Sequence, residues 1–304
     1  MHNRPSSSIT VSVLIPNLHS PFIGDVVAAL RHQSVAPMEV IVVGQDCYNL
    51  VCDDEFVRVF HTPQPTPPAL ALNVALAYAR GQVCCFLDAD CVPHPDWLAW
   101  LLHAYQHGHP VVGGSLGFQP QRYWQRCDNI ASWGILMETA PAGTREHLSS
   151  GNMLVERGLL YAVGGHDETF RRAGGEDTEL CFRLRKQGVA LWFEPRAVVY
   201  NHTERDTART VWWHLFRHGS QWGSVAAAHD DMLPTSYWQG LAQRSYAGGV
   251  VLAGLAAARD SLVIFGNQPQ LFWKQAHTVL GVFWARTGWY AGRLARLHDG
   301  LGAG

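Results

Sequence analysis

Apolar residues along the chain fall into two alternating rhythms. Short β-branched or wholly apolar runs at residues 11–15, 40–43, 57–60 and 83–87 read as buried strands, the first closed by Pro16. Between the first two, Phe22, Ile23, Val26, Val27 and Leu30 recur at helical spacing. Between the last two, a proline-rich loop at 63–68 leads into an alanine- and leucine-rich helix over 69–79 that Gly81 closes. Strands alternating with helices of this length predict right-handed crossovers and a mostly parallel sheet, with any ligand at its carboxyl edge.

The same rhythm continues as a helix from Trp97, a strand at 111–114 that turns at glycine, and a mixed stretch at 122–147. The aromatics of that stretch, Tyr123, Trp124 and Trp133, read as core packing ahead of a substrate groove. A short strand at 152–155 and a helix to Val163 follow, with Pro93 to Asp96 read earlier as a turn. Gly174 and Gly175 then open an amphipathic helix over 178–187 that Gly188 stops, and two further strands are expected at 189–193 and 197–200. Beyond residue 208 the pattern becomes short amphipathic apolar blocks, among them Val250, Val251, Leu255, Phe272, Trp273 and Leu280. The expectation is an α/β domain over 1–205 and a helical extension over 206–304.

Composition narrows the function classes. With 304 residues, 47% of them hydrophobic and 16% charged, the chain can bury a full core and disorder is not its theme. A net charge of -2 supplies no general field for nucleic acid, although His202, Arg205, Arg209, His214, Arg217 and His218 form a local basic stretch. The seven cysteines are scattered without a Cys-x-x-Cys pair, which argues for reduced packing thiols in a cytosolic setting. Residues 1–10 lack the apolar core of a signal peptide and no uninterrupted run of 18 apolar residues occurs, so neither export nor membrane spanning is expected.

The chemistry concentrates where the 83–87 strand ends in Asp88-Ala89-Asp90-Cys91. Alternation puts both carboxylates on one side of an extended segment, where two hard oxygen donors suit Mg²⁺ or Mn²⁺ carrying a phosphate. Taken alone, such a pair is equally a solvated turn or a helix N-cap. Glu176 and Asp177 likewise have a structural reading, since acidic residues in a first helical turn are favoured by the macrodipole, but the two glycines before them point to a closely approached loop.

Three segments in order, VSVLIP at 11–16, FLDADC at 86–91 and SSGNMLVERGLLYAVGGHDETFRRAGGEDTELCFRLRKQG at 149–188, make the chain resemble a family 2 glycosyltransferase of the GT-A fold. The likeness covers Val11 to His202, about two thirds of the chain. It implies a Rossmann-like sheet and a non-processive, inverting transfer of a sugar from a nucleoside-diphosphate donor to a carbohydrate, lipid-linked or other hydroxyl acceptor. By the same resemblance Asp177 is the catalytic base with Glu176 beside it. Pro16, Gln45, Asp46, Asn73, Asp88, Asp90, Gly151 and Asn152 contact the donor, and Asp90, Asp88 and His202 hold a divalent metal, Mn²⁺ or Mg²⁺. Several positions depart from the family pattern: Pro16 is followed by Asn17-Leu18-His19, Gly44-Gln45 replaces the usual acidic pair so that Asp46 comes one place late, and Leu72 stands where many members have arginine. A catalytically silent nucleotide-sugar-binding module stays open beside the enzyme. A nucleotidyltransferase is the weaker alternative, because residues 16–24 contain no Lys or Arg for a phosphate loop. A cytoplasmic protein is expected, with the C-terminal blocks packing against the main domain or a partner subunit in a homo-oligomer, or making peripheral contact at the inner face of the membrane, and with no nucleic-acid partner.

Overall fold

The computed structural model of the chain describes residues 9–229, 231–232 and 246–299. Its strands are β1 (Val11–Leu18), β2 (Glu39–Gln45), β3 (Val57–His61), β4 (Val83–Leu87), β5 (Cys91–Pro93), β6 (Val111–Leu116), β7 (Gly143–Arg145), β8 (Asn152–Glu156) and β9 (Leu191–Asn201). Its helices are α1 (Ile23–Arg31), α2 (Pro68–Tyr78), α3 (Trp97–Gln106), α4 (Tyr123–Trp133), α5 (Arg157–Val163), α6 (Glu176–Lys186), α7 (Ala208–Ala228), α8 (Tyr246–Gly266), α9 (Pro269–Gln275) and α10 (Val279–Asp299).

Among the described residues all strands join one sheet in the order β3-β2-β1-β4-β8-β6-β9-β5, with β7 added on β9. The first four are parallel, as the alternating pattern predicts. From β4 onward the sheet is mixed: β8 runs antiparallel between β4 and β6, β9 is parallel to β6, and β5 and β7 are antiparallel to β9. The parallel half is buried on both faces by helices, which is why its strands read as unbroken apolar runs and β1, β2 and β4 are almost wholly buried.

Three features differ from the sequence reading. The turn read at 93–96 is present at its second half, but a short strand unread in the sequence, β5, leads into it, and its Cys91 pairs with Asn201. The strands expected at 189–193 and 197–200 are one strand, β9, kept continuous through Glu194-Pro195 by a register shift against Gly113 and Ser115 of β6. Helix α6 starts at Glu176, so both acidic residues lie in its first turn. Of the aromatics around α4 read as core, Trp133 is buried and Trp124 packs half-buried against the core, whereas Tyr123 is exposed. All seven cysteines are free, five of them buried.

The C-terminal helices lie on one another and on α4, with α10 against α7, α8 and α4. The α7–α10 crossing is close because glycines meet backbone there: a Cβ on Gly219, Gly288 or Gly292 would come within 1.9, 2.4 and 2.0 Å of the carbonyl oxygens of Trp289, Trp212 and Phe216. Among the described residues one helix, Ala247–Gly266, is long and apolar enough by composition to cross a membrane, with a mean hydropathy of 1.6. Its apolar run is broken by Arg259-Asp260-Ser261, which leaves the average high.

Candidate active site

The carboxyl ends of β1, β2 and β4 meet at one edge of the sheet and are stitched there side chain to backbone. Asn17 donates to the Gln45 carbonyl at 3.0 Å, Ser20 donates from its hydroxyl to the Ala89 carbonyl at 2.8 Å, and the Ser20 N–H donates to Asn17 Oδ1 at 3.1 Å. These bonds fix the loop after Pro16 against the segment that carries Asp88 and Asp90. Gly151, at the turn into β8, is required by close approach: a Cβ there would sit 2.5 Å from Asp88 Oδ2.

Four carboxylates face this edge. Asp88, Asp90 and Asp177 are each partly accessible yet densely surrounded, and Glu176 is buried with its Oε2 accepting the Gly174 N–H at 2.7 Å. Burial, then the charges of Asp90 and Asp177, push Asp88 up to about 7. Burial and the neighbouring Asp177 push Glu176 up to about 8. Asp90 is also raised by burial, against the opposing pull of Arg205 and of Asn201, whose amide donates to Asp90 Oδ1 at 2.9 Å. Asp177 is raised by burial as well, opposed by nearby His147 and by N–H bonds from Thr178 and Ser150. Since Asp90 and Asp177 act on Asp88, and Asp177 and Asp88 act on Glu176, the strand-end pair and the α6 start belong to one cluster.

That cluster fits a divalent cation. Oxygen atoms of Asp88 and Asp90 and the Cys91 sulfur lie within 4.8 Å of one another. The Cys91 thiol is held protonated by burial and by both aspartates, leaving hard carboxylate oxygens as the effective donors, the set that suits Mg²⁺ or Mn²⁺. His202 stands outside this compact trio: its backbone N–H donates to the Asp90 carbonyl at 2.7 Å and its ring lies against Phe22 at 5.1 Å.

Several residues expected at the donor are committed to the protein itself. Asp46 accepts the N–H groups of Tyr48, Leu50 and Val51, closing the loop after β2, and the Gln45 amide donates to Thr62 O at 3.1 Å. Asn73 grips the 165–168 turn, accepting the His166 N–H and donating to His166 O and Glu168. Asn152 is 1% exposed; it accepts the Trp97 indole N–H at 2.7 Å and donates to Ser115 O and Ala197 O, so it ties β8 to α3, β6 and β9. Pro16 sits in β1 opposite Val43, partly buried.

The sequence placed Arg205 only within a basic stretch and did not single out Asp128. Arg205, just after β9, reaches back to the fully buried Asp128 of α4 with Nε 2.7 Å from Oδ2, while the other oxygen, Oδ1, lies 2.6 Å from His214 Nδ1. So held, the guanidinium acts electrostatically on Asp90. Its basic neighbours were visible in the sequence, but only the β9 exit and α4 bring it to the acidic edge.

A mixed sheet with acidic residues at the carboxyl end of the central strand β4 and a second acidic pair at the start of α6 has the arrangement expected of the GT-A fold. The profile described as "Glycosyltransferase like family 2" matches residues 8–223, and the chain belongs to that family. It is 29% identical over 248 residues to the pre-mycofactocin glycosyltransferase of Mycobacterium tuberculosis, covering 76% of this chain and 51% of that protein, so the chain spans about half the length of that relative. Among solved structures it is similar to the mannosyltransferase PcManGT from Pyrobaculum calidifontis in complex with GDP-Man and Mn²⁺, with a TM-score of 0.55, 18% identity and coverage of 97% of this chain and 89% of that one. It is also similar to GalNAc-T7 with UDP, GalNAc and Mn²⁺, with a TM-score of 0.52, 17% identity and coverage of 72% and 51%. These last two likenesses concern the fold.

Proposed function

We propose that the chain is a metal-dependent, inverting glycosyltransferase that moves a sugar from a nucleoside-diphosphate donor to a hydroxyl acceptor. The observation that carries this reading is the convergence of Asp88 and Asp90 with Glu176 and Asp177 in one electrostatically linked cluster at the sheet edge. Asp90 and Asp88 would hold the divalent ion, which when bound offsets charge developing on the leaving diphosphate. Arg205, steadied by Asp128, supplies positive charge beside Asp90 and takes over from the arginine that Leu72 replaces. Asp177 accepts the acceptor's proton as the new glycosidic bond forms; its carboxylate is more basic than an ordinary aspartate because it is buried. Glu176, bonded to the Gly174 N–H, shapes the loop that meets the acceptor.

Asn152, Asn73, Gln45 and Asp46 then act through position, holding the strands and loops that frame the donor. Pro16 and Gly151 line its approach, and His202, whose backbone N–H donates to the Asp90 carbonyl, would steady the segment that holds the metal. Catalysis belongs to residues 1–205 and the helices of 206–304 form an extension. The acceptor is a carbohydrate, a lipid-linked sugar or another hydroxyl compound, and the setting is cytoplasmic.

The test uses Mn²⁺-dependent thermal shift with a panel of nucleoside diphosphates, followed by nucleotide-sugar hydrolysis. Asp90→Ala is expected to lose the metal-dependent shift. Asp177→Asn keeps an oxygen that accepts the Thr178 N–H but cannot take a proton, so it should fold, bind donor and metal, and lose about 10²- to 10⁴-fold in turnover. An Asp90→Ala variant that binds donor like the parent, or a product that retains the donor's anomeric configuration, overturns the reading. A parent that binds donor without hydrolysing or transferring it identifies a silent module instead.

A further inference from the structure

Helix α8 is apolar on both sides. Inward it buries Ala257, Ile264 and Phe265, and its Asp260 pairs with Arg286 and accepts the Tyr290 hydroxyl at 2.8 Å, which fastens the helix along α10. Outward it presents Val251, Leu255 and Leu262, exposed by 64%, 63% and 71%. At 100° per residue these three fall within about 40° of one another, a single stripe. The stripe continues onto the next two helices, where Leu262, Phe272, Trp273 and Val279 wall one apolar recess of about 310 Å³. Trp273 is 81% exposed, and Leu280 next to the recess is 77% exposed. Isolated exposed leucines are ordinary, but a continuous apolar surface across three helices requires something to cover it.

Charge identifies the cover. Arg286 is tied inward to Asp260 and Arg293 stacks on Trp222 and Trp289, so the cations available at the outer face are Arg259 and Lys274. Arg259 and Lys274 are both exposed, the first within a turn of Leu255 and Leu262 and the second beside Trp273. A second copy of the chain would bring like charges together across the face, whereas an anionic bilayer meets apolar side chains with hydrocarbon and cations with headgroups. Exposed tryptophan beside basic residues is the composition of a membrane–water boundary. The inward ion pair keeps α8 bound to the protein, so the helix lies on the bilayer and does not cross it. We propose that the outer face of α8, with α9 and the start of α10, is a monotopic docking surface for anionic lipid membranes.

Vesicle flotation tests this, with neutral phosphatidylcholine vesicles and with vesicles containing phosphatidylglycerol. The full chain is expected to float with the anionic vesicles at low salt, less at high salt, and weakly with neutral ones. The triple variant Leu255→Gln/Leu262→Gln/Trp273→Gln changes only exposed side chains and should lose at least about tenfold in vesicle affinity, and Arg259→Glu/Lys274→Glu should remove the preference for anionic lipid. Nucleoside-diphosphate binding with Mn²⁺, measured in parallel, depends on the acidic edge and should be unchanged in both variants. Absence of flotation by the parent, or flotation unaffected by the triple variant, overturns the proposal. So does a parent dimer in light scattering that the triple variant turns into a monomer, since the face would then belong to a second copy.

Discussion

His166, in the Gly164-Gly165-His166-Asp167-Glu168 turn, sits in surroundings that suit a phenyl ring. It is 3% exposed, packs edge-on against Phe86 at 4.9 Å, and neither ring nitrogen has a hydrogen-bond partner. Burial, with Arg183 adding to it, pushes its pKa down to about 3. The unfolded chain therefore binds a proton at this site between about pH 6.5 and 3 that the folded chain does not, so this group costs no stability above pH 6.5 and increasingly destabilises the fold as pH falls. The loss approaches about 1.4 kcal/mol per pH unit in that window. His166→Phe should match the parent at pH 8 and exceed it progressively in urea melts below pH 6.5. The difference between the two proteins isolates the imidazole from the carboxylates of the cleft. Parallel stability curves for the two would show that the ring gains solvent or a partner.

At the scale of elements, the α7–α10 pair is held by absence of side chain. Gly292→Ala would place a Cβ 2.0 Å from the Phe216 carbonyl, which the helices can relieve only by moving apart, at a cost of about 1–3 kcal/mol. Gly254→Ala, on α8 with nothing within 4 Å of the added carbon, gives the control: helix propensity alone acts there, and the change should be neutral or stabilising by up to about 1 kcal/mol. Chemical melts of the two variants separate a packing effect from a propensity effect. Elements also show where pattern reading stops. The buried parallel strands β1, β2 and β4 were legible because both faces are apolar. The short β5 was not, since its identity comes from pairing with residues more than a hundred positions away, and a turn signal at Pro93 outweighs three strand residues.

Taken as a whole molecule, the helical extension is packed into the structure that carries the site. Arg126 of α4 donates to Gln275, Gln268 donates to Gly134 O at 3.0 Å, and Trp284 donates to Ala208 O at 3.0 Å. A chain ending at residue 229 would uncover Cys127, Ile130, Ala131, Val211 and Leu215, all buried in the full chain. It should give less soluble protein and melt at a lower temperature, with the deficit visible in donor-free protein. An unchanged melt would mean that α8–α10 ride on the surface without supporting α4 and α7.

The parallel half of the sheet, its alternation with helices, the acidic pair at the end of β4 and the acidic start of α6 were legible in the sequence. Each is local, written in the period of apolar residues or in a few adjacent side chains, and needs no distant partner to be read. Only the tertiary structure decided how those residues are used. Asp46 closes its own loop, Asn152 spends its whole amide on Trp97, Ser115 and Ala197, and Arg205 is brought to Asp90 by a buried carboxylate on α4. A polar residue's role depends on which partner reaches it first, and these partners lie 37 to 77 positions away for Asn152 and Arg205. That choice is settled by the packing of strands and helices, which no local pattern records.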